Sequence, residues 1–235
     1  MGLKLIDLSQ EIYPGAPVFP GHPQTLIEWV DTHESTRASG RFENDYGYQA
    51  EKITISTHGT THVDSISHID PSPGAPSIDV IPLERFFTGA VCIDMSAIPP
   101  RTAYAVDEVK AALARYDLTL QPGDTLLTYT GNYTKNYPSP EYLTDYSGFS
   151  YESACWVYDQ GVVNIGTDAP SHDAAGTKSF PAHVACREKQ TMNIENLGDL
   201  RPVIGKRFQF ICFPLRIRGG SGSPIRAVAV LQDAE

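Results

Sequence analysis

Between His58 and His68 the chain places His58, His62, Asp64 and His68 within eleven residues, three of its seven histidines together with a carboxylate. Imidazole nitrogens and a carboxylate are the groups that bind zinc or a transition ion, the carboxylate offsetting part of the charge. No single regular element brings them together. On a strand all four face one side, but at about 3.3 Å per residue His58 and Asp64 lie roughly 20 Å apart, too far to share an ion with bonds of about 2.1 Å. On a helix His58 and His62 meet at i and i+4, while Asp64 is turned about 200° away from His62. The segment therefore has to bend, and Gly59 is the residue expected to let it do so. The sequence predicts a strand, a tight bend and a short extended piece on which His58, His62 and Asp64 converge, as a metal site or as a mutually satisfied polar cluster.

With 235 residues the chain is long enough for one well-buried core, and no repeat or low-complexity linker divides it, so one domain over 1–235 is expected. A net charge of −10 argues against a nucleic-acid or anionic-membrane surface, which needs a basic field, and favours a small-molecule substrate. Cys92, Cys155, Cys186 and Cys212 show no C-x-x-C spacing and read as free thiols. With no leader-like start and no apolar run approaching 18 residues, a cytoplasmic location is expected.

Hydrophobic patterning gives strands over Leu3–Ile12, Gln24–Val30 and Ala50–Ser56, then alternating α and β from Gly89. Strands are expected at Ala90–Met95, Thr125–Tyr129, Val162–Ile165, Phe208–Ile217 and Arg226–Leu231. Val106, Val109, Ala112 and Leu113 repeat at helical spacing, and a second helix is capped by Ser150 and stopped by Gly161. Tyr13–Pro23, rich in proline and glycine, and the polar stretch Asp31–Asn44 read as loops. Early strands followed by alternating elements fit an α/β fold. Three further pieces carry candidate chemistry: Gly166–Ser171 at a strand end, Phe180-Pro181-Ala182-His183, and Asn193-Ile194-Glu195-Asn196-Leu197, where the apolar neighbours of Glu195 imply a buried carboxylate in need of a partner. The Arg218–Pro224 glycine loop lacks the lysine and helix of a phosphate cradle, and no Gly-x-Ser-x-Gly elbow occurs.

The run His58-Gly59-Thr60-Thr61-His62-Val63-Asp64-Ser65-Ile66-Ser67-His68 resembles the His-x-Gly-Thr-His-x-Asp-x-x-x-His signature of the cyclase family, metal-dependent hydrolases that include bacterial kynurenine formamidase and isatin hydrolase. The glycine here stands one position early, while the ligand spacing is kept. Pro-x-His at His183, Leu-Glu-Asn-Leu at Glu195 and the Gly-Ser-Pro-x-Arg loop extend the likeness from Leu5 to Val230. The resemblance implies the family's swivelling β/β/α arrangement, a mixed sheet or partial barrel flanked by helices, assembled as a homodimer or homotetramer. It implies that His58, His62 and Asp64 bind one divalent ion, zinc with manganese as the alternative. Asp64 and Glu195 would bridge to a second ion completed by His183, with one or two ions per subunit. His68 takes the position of the catalytic acid and base, and amide or lactam hydrolysis is the implied chemistry. Phe19 falls where kynurenine formamidases carry a tryptophan against the substrate, and His22 where an aspartate is usual. His172 and Asp173 are secondary candidates for substrate contact. Two rivals use the same residues: a metal-dependent lyase or cyclase, and a non-catalytic metal-binding protein.

Overall fold

The computed structural model describes residues 2–43 and 45–232. Along the first half lie β1 (Leu3–Asp7), β2 (Leu26–Asp31), α1 (His33–Ala38), β3 (Ala50–Thr54), β4 (His62–Asp64), β5 (Phe87–Asp94), β6 (Ala103–Tyr104) and α2 (Val106–Arg115). The second half carries β7 (Thr125–Tyr129), α3 (Asn132–Asn136), β8 (Gly148–Phe149), α4 (Tyr151–Asp159), β9 (Asn164–Thr167), α5 (Pro181–Lys189), β10 (Met192–Glu195), β11 (Arg207–Ile211), β12 (Gly222–Pro224) and β13 (Val228–Gln232).

Nine strands form one mixed sheet in the order β1-β13-β11-β5-β7-β9-β10-β4-β12. Its centre, β5-β7-β9-β10, is parallel, and both flanks are antiparallel. The connection from β12 to β13 shows that the sheet curls. In a flat sheet these strands, seven positions apart, would be separated by roughly 34 Å. The four peptide steps from Pro224 to Val228 reach at most about 14 Å. The two flanks therefore approach each other, and beyond β1 the chain bridges across: Ser9 pairs with Leu197, and Gly198 N–H donates to Leu8.

Alternation along the central strands fills both sides. Ala90 and Cys92 of β5 face the inside of the curl with Leu127, Ile194, Phe208 and Phe210. Val91 and Ile93 face outward with Leu126 and Ile165 under helices α2, α4 and α5. Each fully buried aliphatic or aromatic side chain contributes roughly 1.5–3 kcal/mol by leaving water, which is why these strands read as continuous apolar runs. The mixed sheet flanked by helices is the architecture the resemblance implies.

Some boundaries differ from the patterning. β1 ends at Asp7 and β3 at Thr54, short of Ile12 and Ser56; β9 begins two residues after Val162, and β11 stops at Ile211. β2 and β3 pair only with each other, as an exposed ribbon outside the main sheet. Within the expected loop Asp31–Asn44, of which Asn44 lies outside the described residues, α1 forms because Thr32 and Ser35 make a reciprocal capping box. A six-residue helix is too short to leave a periodic signal. No described helix is long and apolar enough to cross a membrane.

Asp168, at the end of β9, is fully buried and accepts from Thr130 N–H and Oγ (2.7 Å each) and from Gly131 N–H (3.0 Å), tying the β7 loop to β9. Burial outweighs these donors and pushes the carboxyl from 3.8 up to about 6. A folded-state value above the unfolded one means that the protonated form favours folding: the contribution is complete below about pH 3.8 and is lost as pH rises through 6. The difference corresponds to about 3 kcal/mol. Urea unfolding of the wild type and Asp168→Asn should accordingly show a stability difference that changes by about this amount between pH 4 and pH 7; a pH-independent difference would remove Asp168 as the source.

Candidate metal centre

β4 lies between β10 and β12, and its register does what sequence distance conceals. Glu195 of β10 stands directly opposite His62, and Gly222 of β12 opposite Asp64. Cross-strand partners have Cβ atoms only about 5 Å apart, so two carboxylates and a histidine from distant segments share one face of the sheet. His62 and Asp64, two apart, point together, while Val63 between them enters the core. The bend that admits His58 comes just before β4, but its left-handed residue is Thr60, with φ 56°, and not the glycine expected to make it. Gly222 matters in another way: a Cβ there would lie 2.7 Å from His58 Cε1.

All five expected ligands converge. His58 Nδ1 is 2.7 Å from Asp64 Oδ1, and His62 Nε2 is 3.3 Å from the same oxygen. His183 Nε2 lies 3.6 Å from Asp64 Oδ2 and 3.5 Å from Glu195 Oε1, and Glu195 Oε2 is 3.6 Å from His62 Nε2. Donors around a tetrahedral ion with bonds of about 2.1 Å sit about 3.4 Å from one another, so most of these separations are those of atoms facing a shared cation. His62 Nε2 and Asp64 Oδ2 are buried without a hydrogen-bond partner, which is costly unless a cation meets them. The residues present fit a divalent ion, with His58, His62 and the Oδ1 side of Asp64 on one flank and His183, Glu195 and Oδ2 on the other.

The imidazoles are aimed from behind. His62 Nδ1–H donates to the Thr60 carbonyl (2.9 Å), freeing Nε2 for the cluster. His58 Nε2 meets Ser221 Oγ at 2.9 Å. His183 Nδ1–H donates to Asp173, which also accepts from Ala182 N–H (2.6 Å), so one carboxylate orients the imidazole and caps the first turn of α5. Asp173 is thus a buried positioning group instead of a substrate contact. His172 is also buried, its Nε2 3.0 Å from the Ile194 carbonyl, with burial holding it down to about 3.

Electrostatics point the same way. Burial alone would raise the Asp64 carboxyl, but the His183, His58 and His62 rings hold it well below its ordinary value. Burial and then the charge on Asp64 push Glu195 up to about 8. Burial opposes a charge on His183, yet Asp173 and Asp64 keep it well above the ordinary histidine value. Protons on Glu195 and His183 supply positive charge that a divalent ion would otherwise provide, and binding such an ion releases them.

His68 follows β4 on a 3-10 turn, its ring 4.0 Å from that of His58 and 6.1 Å from that of His183. Burial holds it down to about 4, neutral near pH 7. The cluster forms the floor of a cavity of about 340 Å³ walled by Phe19, Ile69, Phe180 and Val184 and bordered by His22 and Arg187. That volume accepts one substituted aromatic ring. No tyrosine among the described residues lines it; Tyr142 joins Gln10 and Asn196 in a buried hydrogen-bond network beneath the site.

Residues 6–174 match the family described as "Putative cyclase". A kynurenine formamidase of Salinibacter ruber is 29% identical over 233 residues, covering 99% of each chain, and one of Bordetella petrii is 27% identical over 226 residues, covering 96% of this chain and 97% of the relative. In three dimensions the chain superposes on isatin hydrolase A of Labrenzia aggregata with a TM-score of 0.85 at 20% identity, covering 98% of this chain and 94% of that one, a likeness of fold.

Asp173→Ala should leave the sheet intact but free the His183 ring and uncap α5. The expected result is a 10- to 100-fold weaker affinity for zinc or manganese in calorimetric titration, with unchanged far-ultraviolet circular dichroism. Undiminished affinity would show that His183 needs no anchoring.

Proposed function

Because the chain belongs to this cyclase family, we propose that it is a metal-dependent hydrolase that cleaves the C–N bond of a small aryl formamide or cyclic amide. The observation that carries the proposal is the meeting of Asp64 and Glu195, 131 positions apart in sequence, with His62 and His183 around unpartnered donor atoms at the floor of an aromatic-walled cavity. The names of the relatives, kynurenine formamidase and isatin hydrolase, support hydrolysis of an amide next to an aryl group.

His58, His62, Asp64, His183 and Glu195 would hold one or two divalent ions, zinc with manganese as the alternative. When bound, such an ion acts as a Lewis acid toward a carbonyl and lowers the pKa of water. Phe19 and Phe180 hold the aryl group and keep bulk water from the amide. His68, neutral and at the cavity edge, takes a proton from the attacking water on its ring nitrogen and returns it to the departing nitrogen, which yields a carboxylic acid and an amine. Asp173, Thr60 and Ser221 keep the ligand imidazoles in register.

Four free cysteines suit a reducing cytoplasm. The exposed Leu26, Trp29, Val30 and Ile53 of the β2–β3 ribbon suit burial in a homodimer or homotetramer of one-domain chains.

A second reading has one observation in its favour: Ser221, His58 and Asp64 lie in line at 2.9 and 2.7 Å, the spacing of a nucleophile, base and acid. Metal removal separates the two. Chelated protein should lose turnover of aryl formamides and regain it with zinc or manganese, whereas a serine relay would survive. His68→Ala should lower kcat by roughly 100- to 10,000-fold with metal content unchanged by elemental analysis. Full activity in that variant would leave a metal-binding protein without this acid and base, and identification of the products distinguishes hydrolysis from a lyase or cyclase reaction.

A further inference from the structure

Helix α5 presents His183, Val184 and Arg187 to the cavity at the 3- and 4-residue spacing of one helical face, and Phe180, the residue just before the helix, lines the cavity beside them. His183 at its inner end belongs to the metal cluster. Arg187 lies one turn farther out, about 6 Å along the axis, and is the one lysine or arginine among the described residues lining the cavity. Among the described residues its guanidinium has neither an ion-pair partner nor a side-chain hydrogen bond. The nearby half-buried Asp70 forms no ion pair with it; its carboxylate accepts from Ser72 N–H and from the Gln190 side chain. Among the described residues Glu195 is the only carboxylate lining the cavity, and it is turned toward His62 and His183. An arginine fork with open donors matches a carboxylate, and among the described residues the lining offers an ammonium group no second carboxylate.

We propose that Arg187 is a specificity-determining residue that selects amides bearing an anionic group, of the carboxylate class, on the side of the ring remote from the scissile bond. The proposal rests on the hydrolase reading for the location of the scissile bond. It distinguishes net-anionic substrates from neutral, cationic or zwitterionic ones. Phe19, Ile69, Phe180 and Val184 line the same cavity as the cluster and the guanidinium, and would hold the ring of such a substrate.

Three probes of one shape decide it on the metal-loaded protein: 4-formamidobenzoate, formanilide and 4-(aminomethyl)formanilide, which are anionic, neutral and cationic. The wild type should favour the anionic probe over the neutral one by at least tenfold in kcat/KM, mostly through KM, and disfavour the cationic probe. Arg187→Gln should bring the anionic-to-neutral ratio close to one, and Arg187→Lys should restore part of it. A wild-type ratio near one, or a ratio untouched in Arg187→Gln, overturns the assignment. If none of the probes is hydrolysed, the hydrolase reading fails by itself. Calorimetric titration with 4-aminobenzoate against aniline then tests Arg187 alone: carboxylate-dependent binding lost in Arg187→Gln upholds its role, and equal binding of the two compounds refutes it.

Discussion

The structure depends on two buried carboxylates, Asp64 and Glu195, sharing one pocket with histidines placed by the pairing of β4 against β10. Burying one unpaired carboxylate already costs several kcal/mol, and two within reach of the same imidazoles are tolerated only where positive charge collects. Here it collects as protons on Glu195 and His183, with His58 hydrogen-bonded to Asp64. A register slip of one residue between β4 and β10 would turn His62 and Asp64 into the core and Val63 into the cluster. Correct strand pairing and site assembly are therefore a single event.

Holding such a cluster requires backbone and polar support that the rest of the fold supplies. Thr60, Phe180 and Asn196 adopt left-handed conformations, each within three residues of a candidate ligand, and non-glycine residues accept this only when their surroundings dictate it. For Thr60 and Asn196 the surroundings are the network beneath the site: the Thr61 hydroxyl donates to the Asn196 carbonyl, Gln10 N–H donates to Thr61 Oγ, and Tyr142 OH donates to the Asn196 side chain. These contacts join the segment after β1, the bend before β4 and the end of β10. Curling of the sheet, which brings Ser9 beside Leu197, makes the network possible.

What was legible in the sequence follows from how local each signal is. Thr125–Tyr129, the helix repeating Val106, Val109, Ala112 and Leu113, and the helix capped by Ser150 are written in short-range patterns, and the structure has them there. The ligand-type residues were legible because chemistry marks them even when geometry does not. Their pairing was not: the opposition of His62 and Glu195 is a long-range register that no local pattern encodes. Asp173 reads in the sequence as a candidate for substrate contact, and its part in orienting the His183 ring emerges only once α5 brings the two side chains together. Conformational freedom points to Gly59 for the bend, whereas the left-handed angle falls on Thr60. In α1, capping by Thr32 and Ser35 outweighs a polar, aperiodic composition.

Charge distribution shows why a local cation can govern what an acidic protein binds. A net charge of −10 spread over the surface repels anions only weakly, because at physiological ionic strength its field decays within about 8 Å. Inside a cavity walled by Phe19, Phe180 and Val184 the screening is poorer, and a guanidinium one helical turn from the ligand cluster contributes more than the distant surface carboxylates together. On the proposed reading helix α5 sets two requirements with one rigid element: His183 would fix where the reacting bond lies, and Arg187 what stands a ring's length away. Because both are carried on the same helix, whose first turn Asp173 caps, the distance between them is held by backbone hydrogen bonds and does not depend on a mobile loop.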